Sequence, residues 1–116
     1  MAIGIDRENK EEIINYLNQS DRHIKKFRHI VELLLNGHKN TQLYDKEDFN
    51  KKAKNITAMK FFKGQENDRI YCVEANLNDM RVIIMIEIYY RKKSQSITKR
   101  EIQVLNKIAK YEYQNE

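Results

Sequence analysis

The chain contains no proline, no tryptophan and only three glycines among its 116 residues. This scarcity argues against a linker-rich or disordered chain, because such segments are usually rich in proline and glycine. A single cysteine, Cys72, cannot form an internal disulfide, which is typical of proteins from a reducing compartment. The sequence therefore predicts one compact domain over residues 1–116.

Long apolar runs are also absent. The longest, residues 82–86, has the length of a strand, whereas a helix that crosses a membrane needs about 20 such residues. Charge begins at Asp6, so the N-terminus lacks the apolar core of a signal peptide. We therefore expect a cytoplasmic protein that makes no contact with a membrane.

Motifs for metals, cofactors and nucleophilic catalysis are missing as well. His23, His29 and His38 lack the spacing of metal ligands, and the cysteine is remote from them in sequence. The chain has neither a glycine-rich phosphate loop nor a nucleophile elbow. We expect no metal and no cofactor, with His23 and His29 on the outside of a helix and Cys72 packed in a sheet.

Positive charge, by contrast, is present in excess. The net charge is +5, and residues 89–110 alone hold seven lysine and arginine residues against one glutamate, a net charge of +6. The rest of the chain is therefore close to neutral. An excess of positive charge concentrated in one segment indicates an acidic partner. Nucleic acid is favoured over a membrane, because no basic amphipathic helix with an exposed apolar face stands out.

The first half of the chain has the apolar spacing of two helices. Residues 6–18 predict a short helix and residues 21–36 a longer one with an apolar stripe. Ser20 and Gly37 are typical of the positions just before and just after such a helix. Near the C-terminus, a capping box at residues 98–101 predicts the start of a last helix.

Period-two patterns replace the helical spacing in the second half. They predict strands over residues 56–63, 69–75 and 81–90, and the short turns between them favour an antiparallel meander. On the third strand, the face that begins with Val82 and Ile84 is expected to lie beneath the long helix. The predicted fold class is α+β: two N-terminal helices packed on a small antiparallel sheet of three or four strands, followed by a C-terminal helix.

Aromatic side chains are interleaved with the cations of this second half. If the strands pair as predicted, Lys60, Arg69 and the basic run 91–93 lie near one sheet surface. Single-stranded RNA binding needs both kinds of residue, because cations neutralise phosphates and rings stack on unpaired bases. For any one of these residues the alternative is structural: a solvated lysine, or an aromatic ring packed in the core.

One segment resembles a known family. Residues 90–102, YRKKSQSITKREI, are similar to the strand-end signature of the RelE/ParE toxin superfamily, particularly its HigB-like, phage-associated branch. In that signature a lysine-rich strand end and a short turn lead to Lys/Arg-Glu-Ile at the start of a helix. Residues 68–71 resemble the superfamily's Tyr-Arg-Ile-Tyr strand, residues 59–61 stand where it has Glu-Leu-Arg, and residues 13–37 match its paired helices.

The resemblance implies the toxin of a type II toxin–antitoxin system that cuts mRNA on the ribosome without a metal. Its expected partners are a cognate antitoxin protein and mRNA. In this hypothesis Lys60 and Arg69 stabilise the charge of the transition state, and Tyr71 or Tyr89 stacks on a base or transfers a proton. The expected phosphate contacts are Arg91, Lys92, Lys93, Lys99 and Arg100. Further aromatic candidates are Tyr111 and Tyr113.

Two other classes of function stay open at this point. A gyrase-inhibiting toxin has the same fold without an RNA-cutting site. A non-catalytic, degenerate module of the same fold binds nucleic acid or protein but has lost the catalytic site. Fold alone does not choose among these activities.

Overall fold

A computed structural model describes residues 1–46, 56–63 and 65–90, together with Gln103 and Ile108. The protein is α+β: within residues 1–90 the described segments form two helices and a five-stranded mixed sheet of order β1-β5-β4-β3-β2. All neighbouring strands are antiparallel except β1 and β5, which are parallel. The elements are β1 (Ala2–Ile5), α1 (Lys10–Leu17), α2 (Asp21–Leu35), β2 (Tyr44–Lys46), β3 (Ile56–Phe61), β4 (Asp68–Leu77) and β5 (Met80–Tyr89).

The predicted architecture is wrong in its sheet and in its element order. The chain begins with a strand rather than a helix, and the sheet has five strands of mixed direction rather than three or four antiparallel ones. β1 has only four residues and pairs with a strand about 80 residues later, so no local pattern marks it. The predicted C-terminal helix lies outside the described residues except for Gln103 and Ile108, which are both helical.

Local signals at the ends of α2 are confirmed. The Ser20 side chain accepts a hydrogen bond from the backbone N–H of His23 and caps the start of the helix. At the other end Gly37 has a φ of +70°, and its N–H donates to Leu34 O while that of His38 donates to Leu33 O. This pair of bonds is a Schellman motif, which uses carbonyls that the helix leaves without partners.

The predicted meander is confirmed for β3, β4 and β5. β4 and β5 are joined by a two-residue turn, Asn78 and Asp79, between the paired residues Leu77 and Met80. Both turn residues have positive φ, 53° and 61°, as a type I′ hairpin requires. Such a tight connection fixes which residues of the two strands face each other.

The sheet separates two apolar clusters. On the side that we call the helix side, α1 and α2 pack on the sheet, and on the far side a second cluster covers the opposite face. Members of the helix-side cluster include Ile13, Leu17, Ile30, Met59, Ile70 and Ile83. Members of the far-side cluster include Ile56, Ala58, Tyr71, Ile84, Ile86 and Ile108.

One bulge interrupts the alternation of β5. Tyr71 pairs with Glu87, but the next residue, Cys72, pairs with Met85, so Ile86 is an extra residue in the strand. A bulge of this kind changes which residues of the strand point to each face.

The two clusters also show which face of this strand the helices cover. Ile83 before the bulge and Ile88 after it both pack on the helix side. Ile84 and Ile86 are part of the far-side cluster, and Val82 packs against that cluster. The prediction that the face beginning with Val82 and Ile84 lies beneath the long helix is therefore wrong.

Candidate nucleic-acid interface

Three of the predicted site residues form a row across the sheet. Lys60 of β3 lies directly opposite Arg69 of β4, and Arg69 lies opposite Tyr89 of β5. Ala58 and Tyr71, two positions further along, are also paired and belong to the far-side cluster. Because side chains two positions apart share a face, this basic row of Lys60, Arg69 and Tyr89 is on the far side.

The row brings two cations close together. Neighbouring strands are about 4.8 Å apart, so the three Cα atoms of the row span roughly 10 Å. Lys60 is partly exposed, and its Nζ donates a 2.9 Å hydrogen bond to Thr41 O. Like charges directly opposite each other in a sheet are destabilising.

The two tyrosines near the row have different environments. Tyr71 is fully buried, at 0% exposure, so its ring is a core residue that cannot stack on a base. Tyr89 is partly buried. The two ring centroids are 6.3 Å apart with a tilt of 48°, so Tyr71 supports Tyr89 from below. Of the two predicted tyrosines, only Tyr89 has a solvent-accessible ring surface.

The basic run follows the row in the chain. Residue 91 is two positions after Tyr89, and β5 ends at that tyrosine. The predicted phosphate contacts lie outside the described residues: Arg91, Lys92, Lys93, Lys99 and Arg100. The two aromatic candidates Tyr111 and Tyr113 also lie outside them.

A second polar cluster, which the sequence did not predict, lies on the helix side. The Tyr16 hydroxyl donates a 2.8 Å hydrogen bond to Asp68 Oδ2, and both residues are buried. The His23 ring packs edge-on against Tyr16, with ring centroids 5.0 Å apart. His23 is only 8% exposed, so the prediction that it lies on the outside of α2 is wrong. Its Nδ1 is 2.7 Å from Ser20 Oγ, and the cap at Ser20 is the one local feature that pointed to this contact.

An ion pair closes one end of this cluster. Arg22 forms two hydrogen bonds with the carboxylate of Glu66, at 3.0 and 2.9 Å. Its guanidinium carbon lies 3.5 Å from the ring centroid of Phe62. Phe62 in turn packs edge-on against His23, with centroids 4.9 Å apart. A guanidinium group thus lies between an aromatic face and a carboxylate, an arrangement that suits its planar shape.

Burial and charge shift the pKa values in this cluster. Burial raises the pKa of Asp68, and the hydrogen bond from Tyr16 opposes that rise. Burial, assisted by the charge of Arg22, lowers the pKa of His23. Burial and then the bond to Asp68 raise the pKa of Tyr16. The hydrogen bonds from Arg22 lower the pKa of Glu66 to about 2, so this carboxylate is ionised at neutral pH.

Within the residues that the structure describes, no group of three or more histidine, cysteine, aspartate or glutamate side chains is placed to hold a metal ion. No helix in the same part of the chain is long and apolar enough to cross a membrane. Comparison with known proteins gives no match to a family model, to a curated protein or to a solved structure.

Proposed function

We propose that the far side of the sheet binds single-stranded RNA along the basic row. The observation that carries the proposal is the register, which places Lys60, Arg69 and Tyr89 directly beside one another on three neighbouring strands. Two cations and a supported ring at this spacing supply both parts of a single-strand site. The cations contact phosphates, and the ring stacks on a base.

The charge distribution along the sequence supports an anionic ligand. Residues 91–93 add three cations immediately after β5, and residues 89–110 carry a net charge of +6. Neutralising phosphates releases counterions, so affinity for a single strand falls with salt by about 0.7 logarithmic units per contact for each tenfold increase. A stacked base contributes about 1–3 kcal/mol. Stacking on Tyr89 needs an unpaired base, which favours a single strand over a duplex.

We further propose that the bound RNA is mRNA and that the protein is a toxin that cuts it. The likeness of residues 90–102 to the RelE/ParE signature supports this step. In the proposed reaction the ribose 2′-oxygen attacks the adjacent phosphorus, and the bond to the 5′-oxygen breaks. A base takes the 2′-hydroxyl proton and an acid protonates the leaving oxygen. Lys60 and Arg69 would stabilise the extra negative charge on the phosphate.

Binding is tested by fluorescence anisotropy with a labelled single-stranded RNA at several salt concentrations. Lys60→Gln and Arg69→Gln are each expected to weaken binding and to reduce the salt slope by about 0.7. Tyr89→Ala is expected to weaken binding about 5- to 150-fold without changing that slope. The matched control is Lys10→Gln, which removes one exposed charge from α1. Equal effects of Lys10→Gln and Arg69→Gln would contradict the proposed surface.

Cleavage is tested separately, by mapping mRNA ends in a translating extract with wild type and Arg69→Gln. The rate of cleavage by the variant is expected to be about 100-fold lower, as for removal of one group that stabilises transition-state charge. Equal cleavage by both proteins would remove Arg69 from the reaction. Binding without any cleavage would leave an RNA-binding module. Inhibition of gyrase supercoiling in place of RNA binding would assign the gyrase-inhibitor activity instead.

A further inference from the structure

The end of α2 carries two neighbouring residues that can react with each other. Asn36 is followed by Gly37, and no other asparagine in the chain is followed by glycine. Asn36 is exposed, and a Cβ built at Gly37 would meet nothing within 4 Å. The side-chain amide is therefore open to solvent, and the following backbone nitrogen has no side chain beside it.

Such a pair has the atoms for an intramolecular substitution. The backbone nitrogen after an asparagine can attack the side-chain carbonyl carbon and close a succinimide ring. The new bond joins that nitrogen to Cγ, the bond from Cγ to the amide nitrogen breaks, and the displaced amide leaves as ammonia with the proton that the backbone nitrogen gives up. Water then opens the ring at either carbonyl, which yields aspartate or isoaspartate. A following glycine favours the attack, because it lacks a Cβ and its backbone turns freely.

The fold holds the attacking nitrogen in the cap of α2. The N–H of Gly37 donates to Leu34 O at 3.2 Å. The N–H of His38 donates to Leu33 O at 2.9 Å. Asn36 has a ψ of 3°, which turns the next nitrogen toward its own backbone nitrogen rather than toward its side chain. The peptide between Asn36 and Gly37 must rotate before the attack, and this rotation breaks the cap bonds.

This opening is confined to the end of the helix. Leu35 is 54% exposed, and residues 36–40 are all exposed, so no buried side chain has to leave the core with them. Leu34, just before them, stays packed in the helix-side cluster. Helix ends open at a much smaller free energy than the whole fold does. The reaction can therefore proceed while the rest of the protein stays folded.

We propose that Asn36 is a self-modification site, at which the native protein converts this asparagine to isoaspartate and aspartate through a succinimide with Gly37. Isoaspartate adds a carbon to the main chain before Gly37, which misplaces the N–H groups of the cap. Both products put a negative charge at the C-terminal end of α2, where the helix dipole disfavours it. Gly37 also lines a cavity of about 440 Å³ between this end of α2 and β2, so the modification changes the wall of that cavity.

The test is incubation of the full, native protein at pH 8 over several weeks. Peptide mass spectrometry follows the conversion of amide to acid at each asparagine, and methylation by an isoaspartate methyltransferase detects isoaspartate. The matched control is Asn78, an exposed asparagine in the turn between β4 and β5. We expect Asn36 to convert roughly tenfold faster than Asn78, because only Asn36 precedes a glycine. Equal rates at the two residues, or aspartate without isoaspartate, would overturn the proposal.

Two comparisons tie the reaction to the cap of α2. Gly37→Ala places a Cβ beside the attacking nitrogen and is expected to slow the conversion roughly tenfold, whereas Lys39→Ala, in the same exposed segment, leaves it unchanged. Unfolding in urea removes the cap bonds and is expected to speed the conversion. An unchanged rate in Gly37→Ala would contradict attack by the Gly37 nitrogen. Equal rates in native and unfolded protein would contradict the restraint by the cap.

Discussion

The hydrogen bond between Tyr16 and Asp68 gives a stability prediction with a definite pH dependence. Tyr16→Phe removes the hydroxyl that donates to Oδ2 at 2.8 Å and leaves the ring contacts in place. Asp68 is 6% exposed, so water replaces the lost donor poorly. Hydrogen bonds to charged groups contribute about 1.5–3 kcal/mol. We expect the free energy of unfolding at pH 7.5 to fall by about that amount.

The loss should shrink as the pH falls. The bond lowers the pKa of Asp68, which burial holds above its ordinary value, so the variant raises that pKa further. A raised carboxyl pKa means that the folded state binds a proton more tightly than the unfolded state does. The variant therefore recovers stability relative to wild type as the pH falls through the pKa of Asp68.

Urea unfolding monitored by circular dichroism between pH 8 and pH 4 measures this difference. The Asp68→Asn background is the control, because Tyr16→Phe should there cost only about 0.5–1.5 kcal/mol, as for a neutral hydrogen bond, with no dependence on pH. A difference between wild type and Tyr16→Phe that stays constant, or that widens toward pH 4, would refute the coupling between the two side chains.

Two further predictions concern the ends and the core of the fold. Gly37→Ala should lower the free energy of unfolding by about 1 kcal/mol, and Gly37→Asn should lower it by less. An added Cβ meets nothing within 4 Å, so only the left-handed φ is unfavourable. Equal stability of wild type and both variants in urea would contradict this prediction. Cys72 is fully buried, and burial raises the pKa of its thiol. It should therefore react with a thiol reagent only at the rate of unfolding. Fast labelling of the native protein at pH 8 would contradict this prediction and would show that the sheet opens locally.

The features that could be predicted from the sequence are those set by short-range physics. The start of α2 follows from the hydrogen-bonding capacity of Ser20, and its end follows from the freedom of Gly37. The turn at Asn78 and Asp79 follows from the tolerance of these residue types for positive φ. The short connections of the meander led to the expectation that Lys60 and Arg69 lie near one sheet surface, and in the structure the two residues are paired.

The features that could not be predicted depend on contacts between distant parts of the chain. β1 is fixed by its pairing with β5. The extra residue Ile86 lies within a run, residues 82–86, that is apolar on both faces, so the pattern gives no sign of where the faces exchange. His23 is buried by Tyr16 and Phe62, and Phe62 is the first residue after β3, far from His23 in the sequence.

Binding of single-stranded RNA to the far side can be located residue by residue. Backbone amide shifts of the labelled protein would be followed during titration with an oligouridine. We expect the largest changes at Lys60, Arg69 and Tyr89, with little change along α1, and their loss in Arg69→Gln. Changes confined to α1 and α2, or no change at millimolar RNA and low salt, would show that the basic row does not bind RNA.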